Sequence, residues 1–413
     1  MEHGVPAITW AALALMIVAA KLGGEVASRL RQPPVLGELL AGVLLGNLPA
    51  GWLGALGGTN DVVIAFAAEL GVMLLLFQVG LESSVGEMVK VAPRAGLVAV
   101  LGVIFPSVLG IGASRLVLPD ASSSAHLFIG ATLCATSVGI TASVLKDLGA
   151  LGSPEARVVL GAAVIDDVLG LVVLSIVSAV ATTGAVDPAA VGRITLVAVA
   201  FVVGALVIGL GVTRGVYRFA AVLRAPQVLG AVSIALCLML GSASALAGLA
   251  PIVGAYAAGL LLDDVSVRPF GAGGLKKIED FVSPIVAVFA PIFFVRTGMS
   301  VELAGLGVES LLLTVLLVVS ALAGKIVCGL GVRGKDIDRL TVGIGMVPRG
   351  EVGLIFAGVA AELVQPDGKP LLSRGVHAAL VATVFITTLA APPALAWRIR
   401  ARNKHETAGG GYA

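Results

Sequence analysis

The sequence predicts an all-α polytopic membrane protein, and three observations carry that reading. Of 413 residues, 58% are hydrophobic and 13% charged. The mean hydropathy is +1.06, far above that of a soluble globular domain. Apolar runs of about 20 residues, the length of a helix across the hydrocarbon core, recur from the first residues almost to the last. Only short polar links separate them, so no sizeable soluble domain fits.

Thirteen runs qualify as transmembrane helices: 5–28, 34–50, 62–81, 91–117, 124–146, 156–182, 190–213, 226–247, 248–262, 281–298, 308–331, 339–363 and 374–398. Span one opens in MEHGVPAITW, which lacks the basic region and small-residue cleavage site of a signal peptide, so it is expected in the mature chain. Span two carries Gly42 and Gly46, a GxxxG pair that permits close helix packing. Spans eight and nine are divided only by GLAP at 248–251. An odd count puts the termini on opposite sides.

Lys and Arg in alternate links set the orientation. One set of links holds nineteen: Arg29, Arg31, Lys90, Arg94, Lys146, Arg157, Arg214, Arg218, Arg224, Arg268, Lys276, Lys277, Arg333, Lys335, Arg339, Arg398, Arg400, Arg402 and Lys404. The other holds four: Arg115, Arg193, Lys369 and Arg374. The first set is therefore expected in the cytoplasm, with the N-terminus outside and the C-terminus inside. Lys21, Arg296, Lys325 and Arg349 remain within spans.

Two spans contain helix-breaking chemistry at mid-depth. Span five reads GATLCATSVGITASVLKDLG (130–149), with Thr136, Ser137, Gly139 and Thr141 in its middle. In span twelve, GIGMVPRGEVGLIFAG (343–358), Pro348 and Gly350 flank Arg349, and Glu351 follows. Both are expected to be discontinuous helices that line a cavity. They are seven spans apart, an odd number, so they run in opposite directions, as inverted repeats with crossing broken helices require.

Span six places Asp166 and Asp167 side by side in GAAVIDDVLGLVVL (161–174). Asp166 is about 10 residues from the basic end, or ~15 Å at the helical rise, close to the bilayer centre. An ionised carboxylate there costs at least ~2.5–3.5 kcal/mol on insertion scales, so it must be protonated, paired, ion-bound or facing water. Adjacent helical residues point about 100° apart and need different partners. Lys325, about six residues or ~9 Å from the basic end of span eleven, can reach one of the two acids. The other is then free to exchange a proton for a hard monovalent cation, with hydroxyl and carbonyl oxygens supplied by the broken helices.

The remaining groups divide between structural and functional readings. Lys21 and Glu25 are spaced for an i,i+4 ion pair, and Arg296 sits where its side chain can snorkel. Arg349 and Glu351 can equally cap carbonyls at the break or contact an ion. Glu69 falls mid-span, within reach of a cavity, and Glu82 sits at a boundary. His126 and His377 lie near the outer interfaces. Cys134, Cys237 and Cys328 occupy apolar segments without CxxC spacing, which argues against disulfides or zinc. GLGVRG at 329–334 matches a dinucleotide fingerprint but closes an apolar span, with no strand before it.

RQPPVLGELLAGVLLGN (31–47), LGVMLLLFQVGLE (70–82), CATSVGITASVL (134–145), LGAAVIDDVLGLVVL (160–174), LAPIVGAYAAGLLL (249–262), AGKIVCG (323–329) and GMVPRGEVGLIFAG (345–358) together resemble the monovalent cation:proton antiporter-2 family. Within it they are most similar to the NapA-type sodium/proton antiporters. The resemblance implies a core domain of helices 4–6 and 11–13 (91–182 and 306–400), and a dimerisation domain of helices 1–3 and 8–10 (1–90 and 226–305). Helix 7 (183–225) is the linker, 401–413 a short cytoplasmic tail, and the assembly a homodimer in the inner cell membrane. It also implies that Asp167 carries the ion or proton, that Asp166 pairs with Lys325, and that exchange is electrogenic.

The expected activity is alternating-access Na⁺(Li⁺)/H⁺ antiport, not enzymatic chemistry. No cofactor and no nucleic-acid partner are expected; the partners are the lipid bilayer, a second copy and the transported monovalent cations, with Asp167 as the Na⁺ site. A K⁺/H⁺ antiporter and a Na⁺-coupled organic solute symporter stay open as alternatives.

Overall fold

The computed structural model describes residues 5–47, 62–83, 85–183, 188–223, 225, 227–262, 274–300, 308–332, 334, 337–365 and 370–409. It is an all-helical, multi-pass membrane protein. Among the described residues, nine helices are both long and apolar enough to cross a bilayer. Arg224, Arg268, Arg333, Lys335 and Lys369, used above for orientation, lie outside the described residues, as does the side chain of Lys404.

One bundle is built from α1 (Ala7–Arg29), α2 (Pro34–Gly46), α3 (Val62–Leu81), α9 (Val228–Leu246), α10 (Pro251–Leu260) and α11 (Gly274–Met299). Lipid tails are as apolar as Leu, so helices associate in membranes by close backbone approach, which small residues permit. Gly42 and Gly46 do this: a Cβ would lie 2.1 Å from the Val295 carbonyl oxygen and 2.5 Å from that of Met299, both on α11. The GxxxG pair is thus a packing seam between α2 and α11.

The second bundle contains α4 (Val85–Val117), α5 (Ser123–Thr132), α6 (Val138–Asp147), α7 (Pro154–Thr183), α12 (Val308–Cys328), α13 (Arg339–Gly345), α14 (Gly350–Glu362) and α15 (Arg374–Gly409). The helix between the bundles, α8 (Pro188–Ala220), packs on α7, α9 and α10.

Several helix limits differ from the apolar limits. The helix read from 281 begins at Gly274, and the one read to 398 continues through Gly409. The expected tail at 401–413 is therefore helical through Gly409, because Arg400, Ala401, Arg402, Lys404 and Glu406 are good helix formers whose polarity does not end a helix. Punctuation at GLAP holds: Gly248 takes φ +81° and Pro251 opens α10. That helix has only 10 residues, about half the hydrocarbon thickness.

The RQPP turn between α1 and α2 has the bond pattern of a Schellman stop. Gln32 N–H donates to Ala27 O and Arg31 N–H to Ser28 O, both at 2.9 Å. Arg31 takes the left-handed φ of 57° that usually belongs to glycine. Nearby, Glu25 pairs with Arg29 at 2.8 Å rather than with Lys21, which corrects the expected Lys21–Glu25 pair. An acid N-terminal to its base is the better i,i+4 order.

At the basic end of the second bundle, three helices are tied by charge. Asp338 caps α13, accepting from Thr341 N–H at 3.1 Å, and takes a two-point bond from Arg398 of α15 at 2.7 and 2.9 Å. Its own N–H donates to Glu155 Oε1 on α7 at 2.9 Å, and Glu155 pairs with Arg402. Arg398, and then Thr341, hold the Asp338 carboxyl well below the usual carboxylate range. A depressed folded value means this stabilisation is full above the ordinary Asp value of about 3.9 and is lost as pH falls toward the folded one. Asp338→Asn should therefore unfold at a lower temperature than wild type at neutral pH. The gap should narrow steadily below about pH 4 when measured by scanning fluorimetry in detergent.

Candidate functional site

Two interrupted helices meet inside the second bundle. Helix α5 stops at Thr132 and α6 starts at Val138; α13 stops at Gly345 and α14 starts at Gly350. Each break leaves carbonyls and N–H groups without helical partners, and the two breaks satisfy one another. Ser137 N–H donates to Pro348 O at 2.7 Å, and Thr141 Oγ1 donates to Gly345 O at 2.7 Å. Thr136 Oγ1 contacts Met346 O at 3.4 Å. Thr136, Ser137 and Thr141 are buried, and these bonds turn the two breaks into one crossing.

Glycine is required at one point of it. Gly350 has φ +43°, and a Cβ there would meet Ser137 Oγ at 2.6 Å. Gly350→Ala should destabilise the fold by about 1–3 kcal/mol through backbone strain alone. A thermal unfolding comparison with Gly358→Ala, where an added Cβ meets nothing within 4 Å, checks this.

Two buried cations cover the carbonyl ends at the crossing. Arg349, fully buried, donates to Leu133 O at 2.6 Å and Val347 O at 3.1 Å. Lys325, also fully buried, donates to Cys134 O at 2.5 Å and to Thr136 Oγ1 at 2.6 Å. Helix C-termini carry partial negative charge, so a cation is stabilised at each. Arg349 is thereby committed to the backbone.

Helix α7 brings the acid pair to the same place. Asp166 Oδ2 lies 3.5 Å from Lys325 Nζ, longer than either bond that lysine makes to Cys134 and Thr136. Asp166 is 3% exposed and Asp167 8%. The one-residue step between them separates their directions, so Lys325 stands against Asp166 and not against Asp167. Among the described residues no group of three His, Cys, Asp or Glu side chains could hold a metal ion. The oxygens near the crossing are two carboxylates, hydroxyls and main-chain carbonyls, a donor set for a weakly held hard cation.

Other candidates fall elsewhere. The Glu351 side chain lies outside the described residues. Glu69 is exposed on α3, and His126 is buried with Nδ1 2.9 Å from Ser114 Oγ. Thr388 of α15 went unnoticed in the sequence, yet its Oγ1 accepts from Gly350 N–H at 3.1 Å and caps α14. The TT pair at 387–388 was the available signal, but Thr387 bonds carbonyls of its own helix, at Thr383 and Val384.

This geometry can be set beside known proteins. The family described as sodium/hydrogen exchanger, transmembrane, matches residues 13–400. The chain is 36% identical to the high-affinity Na⁺/H⁺ antiporter NhaS3 of Synechocystis sp., over 92% of its own length and 87% of the relative's. It is 32% identical to the Na⁺/H⁺-K⁺ antiporter GerN of Bacillus cereus, over 95% and 96%. A solved structure of the sodium proton antiporter MjNhaP1 from Methanocaldococcus jannaschii superposes with TM-score 0.70 at 17% identity, covering 95% of this chain and 96% of that one.

Proposed function

Since the chain belongs to the sodium/hydrogen exchanger family, it is a membrane transporter that exchanges cations for protons and not an enzyme, and we propose that it exports Na⁺ or Li⁺ against H⁺ by alternating access, with Asp167 as the shared ion and proton site. The carrying observation is the geometry of the acid pair: Lys325 stands 3.5 Å from Asp166, and Asp167, one residue further along the helix, points about 100° away. One carboxylate that holds either a cation or a proton couples the two fluxes. An empty, charged site crosses the bilayer interior unfavourably, which suppresses leakage.

In this reading the chain crosses the membrane thirteen times, N-terminus outside and C-terminus in the cytoplasm of the inner-membrane-bounded cell, and works as a NapA-type homodimer. The bundle of α1–α3 and α9–α11 is the dimerisation domain (1–90, 226–305). The other bundle is the core (91–182, 306–400), with α8 in the linker at 183–225. An acid in addition to the Asp166–Lys325 pair supports electrogenic exchange. Potassium is the second reading, favoured by the likeness to a Na⁺/H⁺-K⁺ antiporter.

Proteoliposomes carrying a pH gradient separate these readings. Addition of Na⁺ or Li⁺ should collapse the gradient, K⁺ should not, and clamping the membrane voltage should change the rate. Equal responses to K⁺ would replace the ion assignment. Indifference to voltage would remove electrogenicity, and solute uptake without proton counterflow would remove antiport.

A further inference from the structure

At the basic end of the protein, the turn between α1 and α2 faces the end of α15 across a cavity of about 340 Å³ lined by Arg31, Gln32, Pro393, Trp397, Arg400 and Ala401. Arg400 Nη1 donates to the Arg31 carbonyl at 2.6 Å, which fixes the two basic residues on opposite sides of it. The cavity sits where α15 passes from apolar sequence into RIRARNK, the level of a membrane interface.

The charges of this end are unequally committed. Arg29 is paired with Glu25, Arg398 with Asp338 and Arg402 with Glu155. Arg31 has no hydrogen-bond or ion-pair partner for its guanidinium among the described residues, and Arg400 binds only a neutral carbonyl. No carboxylate lines the cavity. Gln32 Oε1, at its wall, is buried without a hydrogen-bond partner. Leu30 and Trp397, beside the two arginines, are 69% and 64% exposed, as residues in contact with lipid would be.

The backbone adds a separate argument. Arg31 occupies a left-handed position that costs an arginine roughly 1–2 kcal/mol and a glycine almost nothing. The strain places a guanidinium at the mouth of the cavity, where nothing among the described residues receives it. A strained residue whose side chain does no structural work points to a ligand.

We propose that Arg31 and Arg400 hold the phosphate of an anionic phospholipid, with Gln32 on its polar headgroup and the acyl chains against Leu30 and Trp397. Guanidinium forks match phosphate oxygens two at a time, and interfacial cations attract anionic lipid. A headgroup bound there ties the α1–α2 turn to α15, and so one bundle to the other.

The test uses the full chain in mixed micelles, with native mass spectrometry reading retention of phosphatidylglycerol against phosphatidylcholine. Wild type should retain phosphatidylglycerol preferentially. Arg31→Gly and Arg400→Gln should each weaken it about fivefold, the equivalent of ~1 kcal/mol per interfacial cation. Arg31→Gly should unfold at the same or a higher temperature than wild type in phosphatidylcholine, so its loss of lipid cannot come from misfolding. Equal retention of both lipids, or wild-type retention by Arg31→Gly, overturns the proposal. So does full displacement of phosphatidylglycerol by millimolar inorganic phosphate, which would make this a soluble-anion site.

Discussion

Asp167→Asn should reduce Na⁺-dependent proton movement in proteoliposomes to the level of protein-free vesicles while leaving the protein folded. An amide of nearly the same shape cannot take up or release a proton, so competition at this position ends. Asn is nearly isosteric with the side chain it replaces, which is only 8% exposed, so the unfolding temperature should stay close to that of wild type. Residual exchange above background would place the shared site elsewhere. Asp166→Asn makes the informative comparison: it lowers the charge facing Lys325 but leaves that lysine its bonds to Cys134 O and Thr136 Oγ1.

Lys325→Ala should be the most destabilising single change at the site. Breaking a buried ion pair by removing one partner costs about 3–5 kcal/mol, because the other charge stays buried. Here the substitution also strips the cation from Cys134 O at the end of α5. Adding Asp166→Asn should recover part of the loss, since the stranded acid becomes neutral, and the coupling energy should fall in the range of about 0.5–3 kcal/mol for contacting residues. Denaturation of the two single variants and the double variant gives that energy directly. A coupling near zero would mean that the 3.5 Å separation between Asp166 and Lys325 carries no stability, and that the two backbone and hydroxyl bonds hold the lysine alone.

Much of this arrangement was legible in the sequence because membranes make polar residues conspicuous. Asp166, Asp167, Lys325 and Arg349 stand out from apolar runs in which each charge needs a reason. The small polar cluster at 136–141 and the proline before Arg349 gave both helix breaks. What the sequence withheld was pairing. Arg349 reads equally as a cap on carbonyls or as an ion contact, and its bonds to Leu133 O and Val347 O decide for the backbone. Thr388 was invisible because a threonine in a membrane helix usually bonds its own backbone, as Thr387 does. Helix ends at the basic side were misjudged for a related reason: hydropathy marks where lipid stops, and α15 continues past that point.

That long helix has a further property. Its Thr388 caps α14 at the crossing, and its Arg398, about 15 Å along the axis, is bolted to Asp338. Between those two attachments come Pro392 and Pro393, which lack the N–H groups that would have bonded to the carbonyls of Thr388 and Leu389. The rod is therefore jointed where it leaves the crossing. A helix missing two backbone bonds at one point bends there more readily than elsewhere.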